Sequence, residues 1–148
     1  MRRIALPDLT ATESLARDIA ALVRPGDAIL LGGPLGAGKT AFARALLRAA
    51  SNDPSLDVPS PSYTLVQTYE TARGRVHHYD LWRLDGPGPL AELGWNEALA
   101  DLVLVEWPDR LGAMRPAHAL EITLHPQPEP GARVAVIDGW PDRIGQFE

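Results

Sequence analysis

The 148-residue sequence has no cysteine, which excludes disulfides, Cys–metal centres and thiol nucleophiles. That absence fits a reducing compartment, so a cytoplasmic location is expected. No stretch reaches the run of about 18 apolar residues that a membrane-spanning helix needs. The opening "MRRIALPDLTATE" carries no long apolar core behind its two arginines, so no signal peptide is expected. Basic residues are outnumbered as well. The formal net charge of −5 argues against a broad basic surface for nucleic acid and leaves room only for a local patch. Lysine is almost missing: of the 14 Lys and Arg residues, only Lys39 is a lysine. A coding bias toward arginine, with one lysine landing there by chance, is the bland reading of that count. The alternative is that this position needs a compact point charge, which a forked guanidinium does not supply.

What is present begins around that lysine. "GPLGAGKT", Gly33 to Thr40, matches G-x-x-x-x-G-K-[ST] in full. With Gly at about 7% of residues, chance produces such a match in roughly one chain in a few hundred of this length. The flanks agree with it. "DAILLGG" (27–33) reads as a buried strand, and "TAFARALLRAA" after Lys39 reads as a helix with Phe42, Leu46 and Leu47 on one side. A glycine-rich turn in that setting aims backbone N–H groups at phosphate oxygens, with the positive end of the helix behind them. Lys39 is placed to reach the β- and γ-phosphates, and the Thr40 hydroxyl to hold Mg²⁺. The plain alternative is a turn that merely caps a helix.

Elsewhere, "TATE" (10–13) reads as a capping box with Thr10 as N-cap, and Leu15, Ile19 and Leu22 follow at helical spacing until Pro25-Gly26. Residues 51–62 are rich in turn formers and predict a loop. "YTLVQTY" and "RVHHYDL", joined by "TARG", predict a hairpin, and "GPGPLAELGWNEALA" one or two short helical pieces. "LVLVEW" (102–107), "ALEITLH" and "ARVAVID" predict three further strands. Buried strands mixed with helices point to a three-layer α/β P-loop domain over 1–148 with a mixed, mainly parallel sheet. Residues 139–148 are expected to be partly ordered.

A P-loop alone does not choose a reaction. The metal needs a carboxylate, and in α/β sheets ligand groups gather at the C-terminal ends of strands. Asp80 closes "RVHHYD" and Glu106 closes "LVLVE". Each reads as a metal-holding or water-orienting acid. The alternative is a strand-end acid facing solvent or paired with an arginine, Arg83 in the case of Asp80. Neighbours His77 and His78 point to opposite faces of a strand. One is expected to be packed, in a structural or positioning role. Trp82 and Trp107 beside the acids read by default as core. "SPSY" (60–63) is either an ordinary turn or a switch-like loop that senses the γ-phosphate.

In this order the pieces resemble the TsaE (also YjeE) family, P-loop ATPases of bacterial tRNA threonylcarbamoyladenosine synthesis. The family pattern runs from Gly-Asp-Leu-Gly-Ala-Gly-Lys-Thr through Ser-Pro-Thr-Phe/Tyr and His-x-Asp-Leu-Tyr-Arg to Glu-Trp. Here the same order reads "GGPLGAGKT", "SPSYTLVQTY", "HHYDLWRL" and "LVEWPDR". The resemblance implies a cytoplasmic protein, without a membrane anchor, that binds ATP or ADP with Mg²⁺ and hydrolyses ATP slowly alone. It implies partnership with the TsaB–TsaD pair, and contact with tRNA only through that pair. Carried over by position, Gly33, Gly36, Ala37, Gly38, Lys39, Thr40 and Ala41 would hold the phosphates. Thr40, Asp80 and Glu106 would serve the metal, with Lys39, Asp80 and Glu106 as the catalytic set. Ser62 falls on the switch-loop threonine, and Arg133 on an arginine that touches the nucleotide base. Three departures stand out: Pro34 for Asp, Ser62 for Thr and Trp82 for Tyr. None removes a group that phosphate chemistry requires, although Pro34 deletes a charge a partner could contact.

A small-molecule or nucleotide kinase on the same scaffold is the competing reading. Such an enzyme normally carries a cationic lid. "GPGPLAELGWNEALADL" has no Arg or Lys, which counts against one. A nucleotide-binding regulator with negligible turnover is a third reading.

Overall fold

The computed structural model describes residues 1–145. In chain order its elements are strand β1 (Arg2–Leu6), helix α1 (Leu9–Ala20), β2 (Ala28–Gly32), α2 (Lys39–Ala50), β3 (Val66–Thr71) and β4 (Gly74–Asp80). A 3₁₀ segment (Gly88–Leu93), α3 (Trp95–Ala98), β5 (Leu102–Glu106), a second 3₁₀ segment (Pro108–Met114), β6 (Leu120–Pro126) and β7 (Arg133–Asp138) follow. The seven strands form one sheet in the order β1-β7-β6-β2-β5-β4-β3. The four central strands β6, β2, β5 and β4 run parallel, and the antiparallel pairs lie toward the two edges. The fold is therefore α/β with a mixed sheet, as expected.

Period-two alternation divides the buried strands between two cores. Ile29, Leu31, Leu102, Leu104 and Ile122 face α1 and α2, meeting Leu15, Ile19, Phe42, Leu46 and Leu47. Leu30, Val103, Val105 and Tyr79 face the other way and are covered by Leu90, Trp95 and Leu111 from the short helical segments. Three layers result, the third built from brief pieces rather than long helices. Trp95 is fully buried and meets Tyr79 edge-on, with ring centroids 5.2 Å apart.

Three expectations are corrected. Helix α1 is capped by Asp8, whose Oδ1 accepts from Ala11 N–H at 2.9 Å, and not by Thr10. The capping-box pattern placed the start two residues late, because "TATE" and Asp8 offer competing cap chemistry in one stretch. β1 was not anticipated: its two arginines mask the strand, but an edge strand tolerates charge. β3 starts at Val66 and not at Tyr63, because Leu65 adopts φ 70° and its N–H turns back onto the Pro61 carbonyl at 2.6 Å. Of the stretch expected to be partly ordered, Trp140 and Ile144 are buried, while 146–148 lie outside the described residues. Among the described residues no helix is long and apolar enough to cross a membrane.

Candidate nucleotide site

Parallel pairing brings the site together. Register sets Leu31 beside Glu106 and Glu106 beside Asp80, so the ends of β2, β5 and β4 lie in a row. From the first of these the chain enters the loop 33–38 and then α2. Gly33 is required there: at φ 132°, a Cβ would sit 2.5 Å from the Leu124 carbonyl oxygen. Gly38 is the second strict case, at φ 98° with the Arg133 guanidinium packed where a Cβ would project.

A cleft of about 380 Å³ opens over this row. Of the residues singled out from sequence, Gly36, Gly38, Lys39, Thr40, Ala41, Ser62, Asp80 and Glu106 line it. Gly33 and Ala37 belong to the loop without lining the cleft. The Gly33 carbonyl accepts from Lys39 Nζ at 2.6 Å, and Ala37 is wholly buried. Arg133 does not line the cleft. Its Nε donates to the Ala37 carbonyl and its Nη1 to the Gly131 carbonyl at 3.0 Å, so it braces the loop from the β7 side.

Glu106 is buried and held at both oxygens. Thr40 Oγ1 donates to Oε1 at 2.9 Å, and His78 Nε2 lies 2.7 Å from Oε2. Asp80, also buried, accepts the Trp82 N–H on Oδ1 at 3.1 Å and the Ser62 hydroxyl on Oδ2 at 3.1 Å. Ser62 in turn shares a 2.8 Å hydrogen bond with Ser60. Arg83 is not the partner of Asp80; its guanidinium stacks over the Tyr63 ring at 4.4 Å. Among the described residues neither buried carboxylate has an ion-pairing Lys or Arg.

Lys39 is 5% exposed. Its Nζ donates to the Gly33 and Pro34 carbonyls, the latter at 2.9 Å, and lies 3.8 Å from the Trp107 ring centroid. Burial pushes this ammonium below its ordinary range, and the Glu106, Asp80 and Asp109 carboxylates oppose the push. Trp107, at φ 61°, is turned toward the cleft, where it packs on Trp82 with centroids 4.6 Å apart. Both tryptophans line the cleft; Trp82 is exposed and so departs from the default core reading, while Trp107 also packs partly against the core.

Two buried carboxylates without an ion-pairing Lys or Arg among the described residues, beside a threonine hydroxyl, fit a hard divalent cation. Among the described residues no three His, Cys, Asp or Glu side chains converge as an all-protein cage would require. Mg²⁺ at nucleotide sites does not need such a cage, because it takes one or two carboxylates plus phosphates and water. A larger groove of about 840 Å³ between α1, α2 and the β3–β4 turn is lined chiefly by alanines and arginines, without a convergent acid–hydroxyl set. The sequence signal for His78 was its spacing. It lies two residues before Asp80, so both side chains share one face of β4. His77 faces the other way and pairs with Asp101 at 2.9 Å.

Comparison with known proteins agrees with this geometry. Residues 6–134 match the family model described as threonylcarbamoyl adenosine biosynthesis protein TsaE. The tRNA threonylcarbamoyladenosine biosynthesis protein TsaE of Rickettsia felis is 38% identical over 114 residues, covering 76% of this chain and 66% of that protein. This chain thus spans just under two thirds of that relative's length. The Aquifex aeolicus protein of the same name is 36% identical over 111 residues, covering 74% and 79%. The crystal structure of YdiB from Bacillus subtilis superposes with a TM-score of 0.75 at 22% identity, covering 96% of this chain and 88% of that one, a likeness of fold. With the match running over all the motifs around the cleft, the chain belongs to the TsaE family of threonylcarbamoyladenosine biosynthesis.

Proposed function

We propose that the chain is a Mg²⁺-dependent ATPase that hydrolyses ATP slowly alone and supports threonylcarbamoyladenosine formation on tRNA by a TsaB–TsaD-type pair in the cytoplasm. One observation carries the reading: Thr40, Glu106 and Asp80 converge, with no Lys or Arg paired to either acid among the described residues, at the mouth of a full P-loop.

In this reading the backbone N–H groups of the loop and the α2 N-terminus bind the phosphates. Lys39 exchanges its hydrogen bonds with the Gly33 and Pro34 carbonyls for the β- and γ-phosphate oxygens. Its present contacts keep the buried ammonium hydrogen-bonded until phosphate arrives. Thr40 and Glu106 hold the metal, which, when bound, neutralises charge building on the phosphate oxygens. Asp80, steadied by Ser62 and the Trp82 N–H, orients the attacking water. Water adds at the γ-phosphorus, the bond to the ADP oxygen breaks, and the water proton leaves with the phosphate. The transition state is loose, so catalysis rests on positioning and electrostatics rather than a covalent intermediate.

The partner assignment draws on the rim of the cleft. Tyr63 is 83% exposed, Leu35 75% and Trp82 44%, and the cleft is lined by the last two. Large apolar side chains held in water beside a reacting site suit coverage by another protein. The acidic net charge fits a division in which the partner carries the tRNA contact.

Phosphate release from Mg-ATP, measured alone and with a reconstituted TsaB–TsaD pair, tests the proposal. Slow release alone, stimulation by the pair, and loss in Lys39→Ala and Glu106→Ala are expected. Release indifferent to the pair, together with phosphorylation of an added small-molecule acceptor, would replace this reading with the kinase.

A further inference from the structure

His78 is the one histidine among the described residues that is wholly buried. It sits on β4 two residues before Asp80 and beside Leu104 of β5, directly under the acids. Its Nε2 lies 2.7 Å from Glu106 Oε2, while its Nδ1 is buried with no partner among the described residues. The two nitrogens therefore see different surroundings, and that fixes the tautomer. Hydrogen on Nε2 gives the carboxylate a donor and leaves Nδ1 as a bare acceptor. Hydrogen on Nδ1 would bury an unpaired N–H, costing about 1–3 kcal/mol, and would turn a lone pair onto the carboxylate.

An apolar side chain would fill the same volume without burying polar nitrogens. The polarity of His78 therefore has a use, and among the described residues its side-chain hydrogen-bond partner is Glu106. Glutamate has three side-chain torsions, and a carboxylate held at one oxygen still swings about the other. Here Oε2 is taken by His78 from beneath, so Oε1 is left directed at Thr40. His78 does not line the cleft, and Glu106 lies between it and the cleft.

We infer that His78 is a positioning residue: it fixes the rotamer of Glu106 so that Oε1 is presented to Thr40 and to the divalent cation. This rests on the Mg²⁺-nucleotide reading of the cleft. A hydrogen-bonded partner behind a metal-binding side chain commonly changes metal affinity or activity by about 10–100-fold when removed.

The test compares wild type, His78→Gln and His78→Leu. Mg²⁺ is titrated against ADP-saturated protein by tryptophan fluorescence, which Trp82 and Trp107 in the cleft report, alongside metal-free ADP affinity and the melting temperature of the free protein. For His78→Leu, metal-free ADP affinity is expected to stay within about twofold while the apparent Mg²⁺ affinity falls roughly 10–100-fold. His78→Gln, which returns an N–H donor, is expected to recover most of that loss. Nitrogen-correlated NMR of the wild type, which needs no variant to fold, should show hydrogen on Nε2, with its resonance displaced in Glu106→Gln. Hydrogen on Nδ1, unchanged Mg²⁺ affinity in a folded His78→Leu, or equal losses in both variants that track melting temperature would each overturn the inference. A wild type whose fluorescence ignores Mg²⁺ would overturn the parent reading and this one with it; failure confined to the variants would overturn this one alone.

Discussion

Thr40 Oγ1 donates to Glu106 Oε1 at 2.9 Å, joining the first turn of α2 to the end of β5 across 66 residues. In the proposed reading a metal ion held by both would take the place of this bond, so the two side chains already face each other as a ligand pair would. Glu106→Gln keeps the shape and removes the charge. It should lower kcat by about 10²–10³, the scale of losing one preorganised electrostatic group, with metal-free nucleotide binding retained. Single-turnover phosphate release set beside metal-free ADP titration reads the two separately. Loss of both together would mean that Glu106 holds the fold of the loop rather than the metal.

Ser62 holds Asp80 Oδ2 at 3.1 Å from the loop before β3. Deleting the hydroxyl frees one oxygen of the acid proposed to orient water, while Asp80 keeps its bond from the Trp82 N–H. Ser62→Ala should cost about 1 kcal/mol of stability at most and slow turnover about tenfold. Ser62→Thr should behave as wild type, because the hydroxyl is what the geometry uses. A Ser62→Ala enzyme of unchanged kcat would show that Asp80 needs no such support.

Much of this site was legible because its parts are local in sequence. The P-loop is contiguous, and a run of apolar residues ending in an acid announces a buried strand with a carboxylate at its tip. Asp80 and Glu106 become neighbours only through the register of β4 on β5, yet the local pattern already put each at the end of its strand. Long-range partners were not legible. The bond from His78 to Glu106 and the bracing of Ala37 by Arg133, 96 residues away, depend on strand order, which no local pattern carries. Size alone suggests core for the tryptophans; Trp107 does pack partly against it, yet its ring also lies 3.8 Å from Lys39 Nζ, a contact no local pattern carries. β1 escaped because edge strands relax the alternation rule.

Arg133 offers a choice between two roles that affinity can separate. The resemblance assigns it to the nucleotide base, while its hydrogen bonds brace the P-loop carbonyl of Ala37. A brace acts on the phosphates, which all nucleoside triphosphates share. Arg133→Ala should then weaken ATP and GTP binding by a similar factor, on the order of tenfold, as expected from losing charged hydrogen bonds of about 1.5 kcal/mol. A change confined to ATP, measured by competition against GTP, would assign the arginine to the base.

The start of α1 can be settled by two caps. Asp8 accepts the Ala11 N–H, whereas Thr10 lies inside the helix. Asp8→Ala should lower stability by about 1 kcal/mol, read from urea midpoints at equal m. Thr10→Ala, inside the helix where alanine is the better helix former, should leave it unchanged or raise it by a few tenths. The reverse order would restore the capping box.

Tyr79 gives the alkaline limb of stability a definite sign. Burial pushes its phenol up to about 12 from 10.0, with the Glu97 carboxylate adding to the push, while its hydroxyl donates to the Leu93 carbonyl at 2.9 Å. Between pH 10 and about 12 the folded chain keeps this proton and the unfolded chain has lost it, so stability falls as pH rises through that window. The full effect is on the order of 2 kcal/mol. Burial of Lys39 acts with the opposite sign: its ammonium is pushed below 10.5, so the unfolded chain holds that proton to higher pH and stability gains there. Tyr79→Phe removes one hydrogen bond and should be about 1 kcal/mol less stable than wild type at pH 7. It also removes the titration, so the deficit should shrink above pH 10, vanish at about pH 11 and be reversed by pH 12. Denaturant unfolding of both proteins from pH 7 to 12 checks the crossing; parallel curves throughout would show that the phenol does not govern the limb.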